Sequence, residues 1–214
     1  MQPKIELKSD QTIVFIGDSI TDADRNSQAY RPFGYGYVHF LANIILAKYP
    51  HLNLHIVNTG VSGNTIRDLK RRWERDCIRY KPDILSILIG VNDVWGRFAD
   101  PQLLPSAVYA DEYELTYKQL ISQVKQQFNC QLVLMEPFMF CDNPQDEMLK
   151  NLVSYIDIVV SLAEEFAAVL VPLQKKINEK IQQVPPEKWS SDSVHPYVWA
   201  HCWIAQRWLE STGL

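Results

Sequence analysis

A serine near the start of the chain and an aspartate–histidine pair near its end have the side-chain types of a hydrolytic triad. Ser19 comes shortly after residues 12–16, an apolar and β-branched run that predicts a buried strand. Asp192 and His195 lie three positions apart. A carboxylate at that spacing can hold one imidazole nitrogen while the other nitrogen faces a serine hydroxyl. Because ligands bind at the carboxyl ends of strands in open α/β sheets, Ser19 is the first candidate nucleophile.

Two further polar segments follow predicted strands. Residues 58–65 include Gly60 and Gly63, and glycine lets a backbone N–H approach a ligand closely. Residues 90–93 include Asn92, whose side-chain amide can donate to a developing oxyanion. Taken alone, residues 58–65 are better explained as a loop with a helix cap, and residues 90–93 are explained equally well as an ordinary turn. Because they occur at successive strand ends, we interpret them together with Ser19 and His195 as one site.

The elements that must position these residues alternate along the chain. Apolar runs predict five strands, at residues 12–16, 54–57, 84–89, 132–135 and 169–171. Helical periodicity predicts helices at residues 36–49, 65–80, 111–128, 148–166, 173–184 and 196–209. This alternation predicts an α/β fold, a three-layer α/β/α sandwich around a five-stranded parallel sheet. Nothing divides residues 1–214 into two domains, and the prolines at 101, 105, 185 and 186 mark loops.

Composition limits the classes of partner. The formal net charge is −4, and 47% of residues are hydrophobic, as in an ordinary soluble globular protein. The densest basic stretch alternates with acidic residues at helical spacing, which predicts a solvated helix face; its members are Arg67, Lys70, Arg71, Arg72 and Arg75. No apolar run approaches a membrane span, and residues 1–10 do not resemble a secretion signal. We therefore expect no nucleic-acid or membrane partner and a cytoplasmic location.

Metal and disulfide chemistry are not indicated. The four cysteines form no CxxC pair and are interpreted as free thiols; they are Cys77, Cys130, Cys141 and Cys202. The histidines other than His195 lack metal-ligand spacing with one another. We expect neither a metal ion nor an organic cofactor.

The four polar segments resemble the sequence blocks of the SGNH hydrolases, also called GDSL esterases and lipases. The four letters of that name correspond here to Ser19, Gly63, Asn92 and His195. The resemblance implies the SGNH hydrolase fold with the flavodoxin-like strand order 2-1-3-4-5. It also implies that Ser19 is the nucleophile, His195 the general base and Asp192 the residue that orients the histidine. The backbone N–H groups of Ser19 and Gly63 and the side chain of Asn92 would form the oxyanion hole.

A closer likeness is to the bacterial intracellular acetylxylan esterases of this family. It rests on Ile-Gly-Asp-Ser-Ile-Thr-Asp at 16–22, Ser-Gly-Asn-Thr at 62–65, Ile-Gly-Val-Asn-Asp-Val-Trp at 89–95 and Val-His-Pro at 194–196. The likeness implies a small-molecule substrate, an acetylated sugar, and a homo-oligomer. Trp95, three positions after Asn92, is a candidate for walling the acyl pocket or stacking on a sugar. Asp18 is a second candidate substrate contact.

Three functions compete at this point. The favoured one is a serine esterase that deacetylates xylo-oligosaccharides. The second is a GDSL-type lipase, lysophospholipase or thioesterase, which would need an apolar groove for its acyl chain. The third is a non-catalytic carbohydrate-binding protein, which the complete set of catalytic residue types argues against. For the homo-oligomer, the aromatic residues expected to lie on the surface are Trp189, Tyr197, Trp199 and Trp203.

Overall fold

The sheet has five parallel strands in the order β2-β1-β3-β4-β5, which confirms the predicted order. The structure is a computed structural model that describes residues 3–98 and 107–214, so Pro101 and Pro105 lie outside the described residues. The strands are β1 (Thr12–Gly17), β2 (His55–Asn58), β3 (Ile84–Leu88), β4 (Gln131–Met135) and β5 (Val169–Val171). All four pairings between neighbours are parallel, so the carboxyl ends of the strands share one edge.

Eight α-helices occur in the part of the chain that the structure describes. They are α1 (Ser19–Asp22), α2 (Tyr37–Lys48), α3 (Ile66–Asp76), α4 (Val91–Trp95), α5 (Ala110–Gln127), α6 (Glu147–Glu165), α7 (Leu173–Ile181) and α8 (Val198–Thr212). The sequence pattern did not predict α1 and α4, because helices this short show no periodicity. The prediction that Pro196 begins the last helix was wrong, since Pro196 forms an antiparallel bridge with Ser190 before α8 starts.

Two apolar cores lie on opposite faces of the sheet. Side chains of a strand alternate between its faces, so Ile13 and Phe15 enter one core and Val14 and Ile16 enter the other. Helices α2, α7 and α8 contribute to the first core, and helices α3, α5 and α6 contribute to the second. This arrangement is the predicted three-layer α/β/α sandwich. Among the described residues, no helix is both long enough and apolar enough to cross a membrane.

Helix α3 corrects the prediction of a wholly solvated basic face. Lys70 and Arg71 are exposed as expected, whereas Arg72 is only 7% exposed. Position 72 lies on the side of the helix that also carries the buried Leu69 and Trp73, three positions before it and one after. A buried guanidinium is stable there because backbone and side-chain oxygens surround it, as described below.

The aromatic residues near the carboxyl terminus are only partly exposed. Trp189 was expected on the surface, but it is 2% exposed and stacks on Phe140, with ring centroids 5.5 Å apart. Trp203 is half-buried against the same core. Tyr197 and Trp199 remain 43% and 46% exposed. The expected surface patch is therefore smaller than the sequence indicated, because the first core takes up Trp189.

Candidate active site

Ser19 is placed at the carboxyl edge of the sheet by the end of β1 and the start of α1. Asp18 precedes it and caps the short helix, since its Oδ1 accepts a hydrogen bond from the Ile20 N–H at 3.0 Å. Asp18 is 1% exposed, so it does not face substrate, and the interpretation of Asp18 as a substrate contact is corrected. Burial raises the pKa of Asp18 to about 7, against the lowering effect of the Ile20 hydrogen bond. Asp18 therefore shapes the turn that presents Ser19.

The three candidate triad residues form a continuous hydrogen-bonded relay. Ser19 Oγ lies 2.8 Å from Nε2 of His195, and Nδ1 of His195 lies 2.6 Å from Oδ2 of Asp192. The side chains of His195 and Asp192 are 51% and 42% exposed, so the relay is open to solvent and to a ligand. The structure thus brings together the three residues that the sequence nominated from opposite ends of the chain.

Asp192 is held as a carboxylate by its surroundings. Burial pushes its pKa upward, but hydrogen bonds from the His195 backbone N–H, the His195 ring, the Val194 N–H and the Ser190 hydroxyl keep the pKa well below its usual value. A carboxylate accepts hydrogen bonds only, so Nδ1 of His195 carries the proton and donates. Nε2 is then left to accept the hydroxyl proton of Ser19, which is the tautomer that a general base requires.

The candidate oxyanion donors border the same cavity as the nucleophile. This cavity of about 440 Å³ is lined by Ser19, Gly63, Asn92 and His195, together with Asp22, Ala23, Asp24, Tyr35 and Ser62. Gly63 has a φ of +78°, a conformation that other L-residues rarely adopt, and it is exposed. Its backbone can therefore face the cavity without a side chain in the way. Ser19, Gly63 and Asn92 therefore border one cavity, and their role as oxyanion donors stays a prediction.

The loop that carries Gly63 is anchored close to the nucleophile. The side-chain amide of Asn58 donates to the carbonyls of Thr21 and Phe33, at 2.7 and 2.9 Å. Gly60 lies directly against α1, where a Cβ would be 2.3 Å from the backbone nitrogen of Asp22, so only glycine fits. These contacts hold the loop 58–65 at a set distance from Ser19.

Asn92 and Asp93 join the third polar segment to this loop. Nδ2 of Asn92 donates to the carbonyl of Asn64 at 3.0 Å through one of its two amide hydrogens. Asp93 is fully buried, and its Oδ1 accepts from the Ile66 N–H at 2.9 Å. Burial raises the pKa of Asp93 to about 8, against the lowering effect of the Ile66 hydrogen bond. The fold therefore favours a protonated carboxyl at this position at neutral pH.

Trp95 lies in a neighbouring cavity rather than in the one that contains Ser19. This second cavity of about 320 Å³ is bordered by Asp192 on the triad side. Its apolar lining residues are Trp95, Phe98, Met139, Met148 and Val194, and its other polar ones are Asp146, Glu147 and Ser193. Trp95 is half-buried and packs against the first core. The side chain thus walls a cavity beside the triad, and its two expected roles stay predictions.

Sequence reasoning missed the residues that line the far side of the Ser19 cavity. Tyr35 is 37% exposed there, and its backbone N–H donates to the Ala23 carbonyl at 2.9 Å. Its flanking residues, Gly34 and Gly36, were the available signal, because glycines allow the chain to approach another segment closely. Asp22 and Asp24 add carboxylates to the same wall. Among the described residues, no cluster of three or more His, Cys, Asp or Glu side chains could hold a metal ion.

A parallel α/β sheet with a serine–histidine–aspartate relay at its carboxyl edge is typical of serine hydrolases. Sequence comparison points to the same class. The profile of the GDSL-like Lipase/Acylhydrolase family matches residues 15–201, a span that contains every nominated site residue. The chain belongs to the GDSL-like Lipase/Acylhydrolase family, which confirms the resemblance seen in its four polar segments.

The chain is similar along its length to characterised relatives. It is 38% identical over 213 residues to an acetylxylan esterase from Geobacillus stearothermophilus. The aligned residues make up 98% of this chain and 97% of the relative. The crystal structure of that esterase, Axe2, matches with a TM-score of 0.92. A structure of LAE5, an alpha/beta hydrolase enzyme from the metagenome of Lake Arreo, matches with a TM-score of 0.90 at 33% identity, covering 97% of each chain.

Solved mutants of Axe2 mark a triad of the same composition. Three of them are catalytic mutants in which a serine, an aspartate or a histidine is replaced by alanine. The aspartate and histidine of Axe2 are three positions apart in its sequence, as Asp192 and His195 are here.

Proposed function

We propose that this protein is a serine esterase that removes acetyl groups from the hydroxyls of short xylan-derived oligosaccharides. The observation that carries the esterase activity is the relay from Ser19 through His195 to Asp192, with distances of 2.8 and 2.6 Å, beside a cavity that holds the oxyanion donors. The acetylated sugar is supported by the 38% identity to an acetylxylan esterase.

Acylation would begin with attack of Ser19 Oγ on the acetyl carbonyl carbon. His195 Nε2 takes the hydroxyl proton as the new C–O bond forms, and Asp192 stabilises the resulting imidazolium. The negative charge moves to the former carbonyl oxygen, where the donors of Ser19, Gly63 and Asn92 receive it, each worth about 3 kcal/mol of barrier. The bond to the sugar oxygen then breaks, and His195 returns the proton to that oxygen.

Deacylation would repeat these steps with water as the nucleophile. His195 accepts a proton from water as the oxygen attacks the acetyl-serine carbonyl, and the same donors stabilise the second oxyanion. The bond between the acetyl carbon and Ser19 Oγ breaks, acetate leaves, and the proton held by His195 restores the serine hydroxyl. The sequence of steps consumes one water for each ester cleaved and needs no redox partner.

The lining of the Ser19 cavity suits a polar leaving group. Among the described residues, its lining includes no long aliphatic side chain, and Ala23 and Tyr35 are its least polar members. The exposed carboxylate of Asp24 can accept hydrogen bonds from sugar hydroxyls, whereas Asp22 already accepts from the N–H and hydroxyl of Ser62. The exposed Tyr35 ring offers a face for a sugar to pack on. An acetyl group and a xylose unit both fit this chemistry.

The apolar cavity beside Asp192 favours a second candidate function. Trp95, Phe98, Met139 and Met148 could accommodate an acyl chain if the ester bound in the opposite sense. The protein would then be a lipase, lysophospholipase or thioesterase of the same family, with the same nucleophile. The two candidates differ in which cavity receives the acyl group.

A hydrolysis panel tests the proposal. Acetylated xylo-oligosaccharides are compared with p-nitrophenyl acetate, butyrate and octanoate, with Ser19→Ala as the blank for uncatalysed hydrolysis. The deacetylase predicts acetate release from the sugars and a kcat/KM that falls steeply from acetyl to octanoyl, because each extra methylene meets packed atoms at about 1–3 kcal/mol. A kcat/KM that rises through octanoyl, with no acetate released from the sugars, would assign the protein to the lipase class.

The oligomeric state and the location of the enzyme stay predictions. Tyr197 immediately precedes α8 and Trp199 lies in its first turn. Both are about half exposed, and they are the aromatic surface expected to join copies of the chain. Light scattering at micromolar concentration would return a mass above 24.8 kDa if they do. A cytoplasmic location is checked by fractionation of the producing cell.

A further inference from the structure

The guanidinium of Arg72 lies behind the loops that carry the nucleophile and the oxyanion donors. Nη2 donates to the carbonyl of Gly17 at 2.9 Å, and Nη1 donates to the carbonyl of Thr59 at 2.5 Å. Nε donates to Oδ1 of Asn64 at 2.6 Å. Because Arg72 is only 7% exposed, protein oxygens rather than water satisfy these donors.

The three acceptors belong to two parts of the candidate active site, the end of β1 and the loop 58–65. Gly17 ends β1, two residues before Ser19, and Thr59 follows the end of β2. Asn64 is the next residue after Gly63, and its backbone carbonyl accepts the hydrogen bond from Asn92 Nδ2 at 3.0 Å. The buried side chain of Arg72 therefore contacts the end of β1 and the loop 58–65, and it is linked to Asn92 through Asn64.

The buried charge of Arg72 is balanced within its own helix. Nη1 lies 3.1 Å from Oδ2 of Asp76, whose side chain is 14% exposed. Burial alone would raise the pKa of Asp76, but the hydrogen bonds from Arg75 and Arg72 outweigh it and lower the pKa below its ordinary value. The carboxyl therefore stays ionised. The planar guanidinium, with five N–H donors in a fixed fork, can serve several acceptors at once, which a lysine ammonium on a flexible stem does not reproduce.

We propose that Arg72 is a positioning residue that sets the geometry of the oxyanion hole. By tying the loop 58–65 to the end of β1, it orients the Gly63 N–H and, through Asn64, the amide of Asn92. The inference rests on the esterase function proposed above. Oxyanion donors stabilise the transition state only when they are held in place in advance, and a displacement of about 1 Å can cost about 10²-fold in rate.

The first experiment compares Arg72→Met with Arg71→Met, a matched control on the same helix whose exposed guanidinium pairs with Asp68. Arg72→Met is expected to lower kcat for p-nitrophenyl acetate at least ~10-fold while KM changes less than ~3-fold, since the lost contacts act on the transition state. Arg71→Met should keep kcat within ~2-fold of wild type, as surface changes usually do. Equal kcat values in the two variants would overturn the proposal.

A double-mutant cycle separates positioning from general support of the fold. If Arg72 acts through Asn92, adding Arg72→Met to Asn92→Ala should lower kcat by less than ~3-fold, because the donor it positions is already gone. If Arg72 only supports the fold, the same fold-loss should appear in both backgrounds, and that result would refute positioning. Arg72→Lys should restore kcat only in part.

Two further variants keep the test decisive. If Arg72→Met does not fold, Asn64→Ala takes its place in the cycle, because it removes the acceptor of Arg72 Nε and keeps the carbonyl that Asn92 contacts. Wild-type kcat in Asn64→Ala would then overturn the proposal. Failure of the proposed esterase function would be recognised by a different result, the retention of activity in Ser19→Ala. Loss of kcat in Asn92→Ala without loss in Arg72→Met would overturn the positioning role alone.

Discussion

Ser19 Oγ and His195 Nε2 lie 2.8 Å apart although 176 positions separate the two residues in the sequence. Ser19 follows β1, whereas the turn between Ser190 and Pro196 follows no strand and lies between α7 and α8. That second turn is anchored by the Phe140 N–H, which donates to the Ser193 carbonyl at 2.7 Å, and by the Ser190–Pro196 bridge. The base is therefore positioned by backbone contacts that do not depend on the nucleophile.

Replacing Ser19 by alanine tests the nucleophile. Because the hydroxyl forms the bond to the acetyl carbon, Ser19→Ala should lower kcat for p-nitrophenyl acetate by ~10⁴-fold or more. The residue is half-buried at a helix start, and its backbone contacts do not use the side chain, so the midpoint of thermal unfolding should move little. Near-wild-type turnover in a correctly folded variant would remove Ser19 from the mechanism.

Asp192→Asn tests whether the carboxylate sets the tautomer and stabilises the imidazolium. An amide of the same shape carries no charge and can present an N–H to Nδ1, so kcat should fall ~10²–10⁴-fold. Ser190→Ala is the matched control, because it removes the hydroxyl that donates to Asp192 Oδ1 and accepts from the Asp192 N–H, and it leaves the contact at Oδ2 with His195 intact. If the control loses as much activity as Asp192→Asn, the effect comes from the shape of the turn and not from the charge.

Trp95→Ala tests whether the apolar cavity beside the triad limits the acyl chain. If Trp95 walls the acyl side, its removal should raise the ratio of kcat/KM for butyryl over acetyl esters by ~10-fold, since a methylene in a pocket is worth about 1–3 kcal/mol. The ratio is measured with p-nitrophenyl esters, and Leu115→Ala, which truncates a 60% exposed side chain on α5, serves as control. An unchanged ratio would place the acyl group away from Trp95.

Asp93 predicts a particular dependence of stability on pH. Its pKa is about 8 in the folded protein against an ordinary value of 3.8, so between these values the folded state retains a proton that the unfolded state releases. The stabilising contribution is therefore complete below about pH 4 and is lost as the pH rises through 8, at up to ~1.4 kcal/mol per pH unit.

Asp93→Asn removes this titration while keeping the acceptor for the Ile66 N–H. Urea unfolding at pH 5, 6, 7 and 8 should show a free energy of unfolding that falls less with pH in the variant than in the wild type. Asp18, with its own raised pKa of about 7, is present in both proteins, so its titration contributes to both curves. Parallel curves for the two proteins would contradict a protonated Asp93.

The amino-acid sequence by itself determined the order of the elements and nominated the three residues of the candidate triad. Runs such as Val169–Val171 are recognisable because the apolar and β-branched composition of a buried strand is a local property. Ser19, Gly63 and Asn92 could be nominated because each follows such a run, and His195 because a carboxylate lies three positions before it. Parallel strands bring residues at their carboxyl ends together without any knowledge of side-chain packing.

Only the tertiary structure decided which polar side chains are buried and which cavity each residue lines. Arg72 resembled its exposed neighbours in sequence, but its carbonyl acceptors lie 13 and 55 positions away, at Thr59 and Gly17. The sequence placed Asp18 wrongly as a substrate contact, because its burial depends on segments distant in sequence. For the same reason the role of Trp95 stayed open, since the cavity that it lines is built from distant segments. The local sequence pattern indicates whether a segment is a helix or a strand. Whether a charged side chain can be buried depends on the hydrogen-bond partners that folding brings close to it.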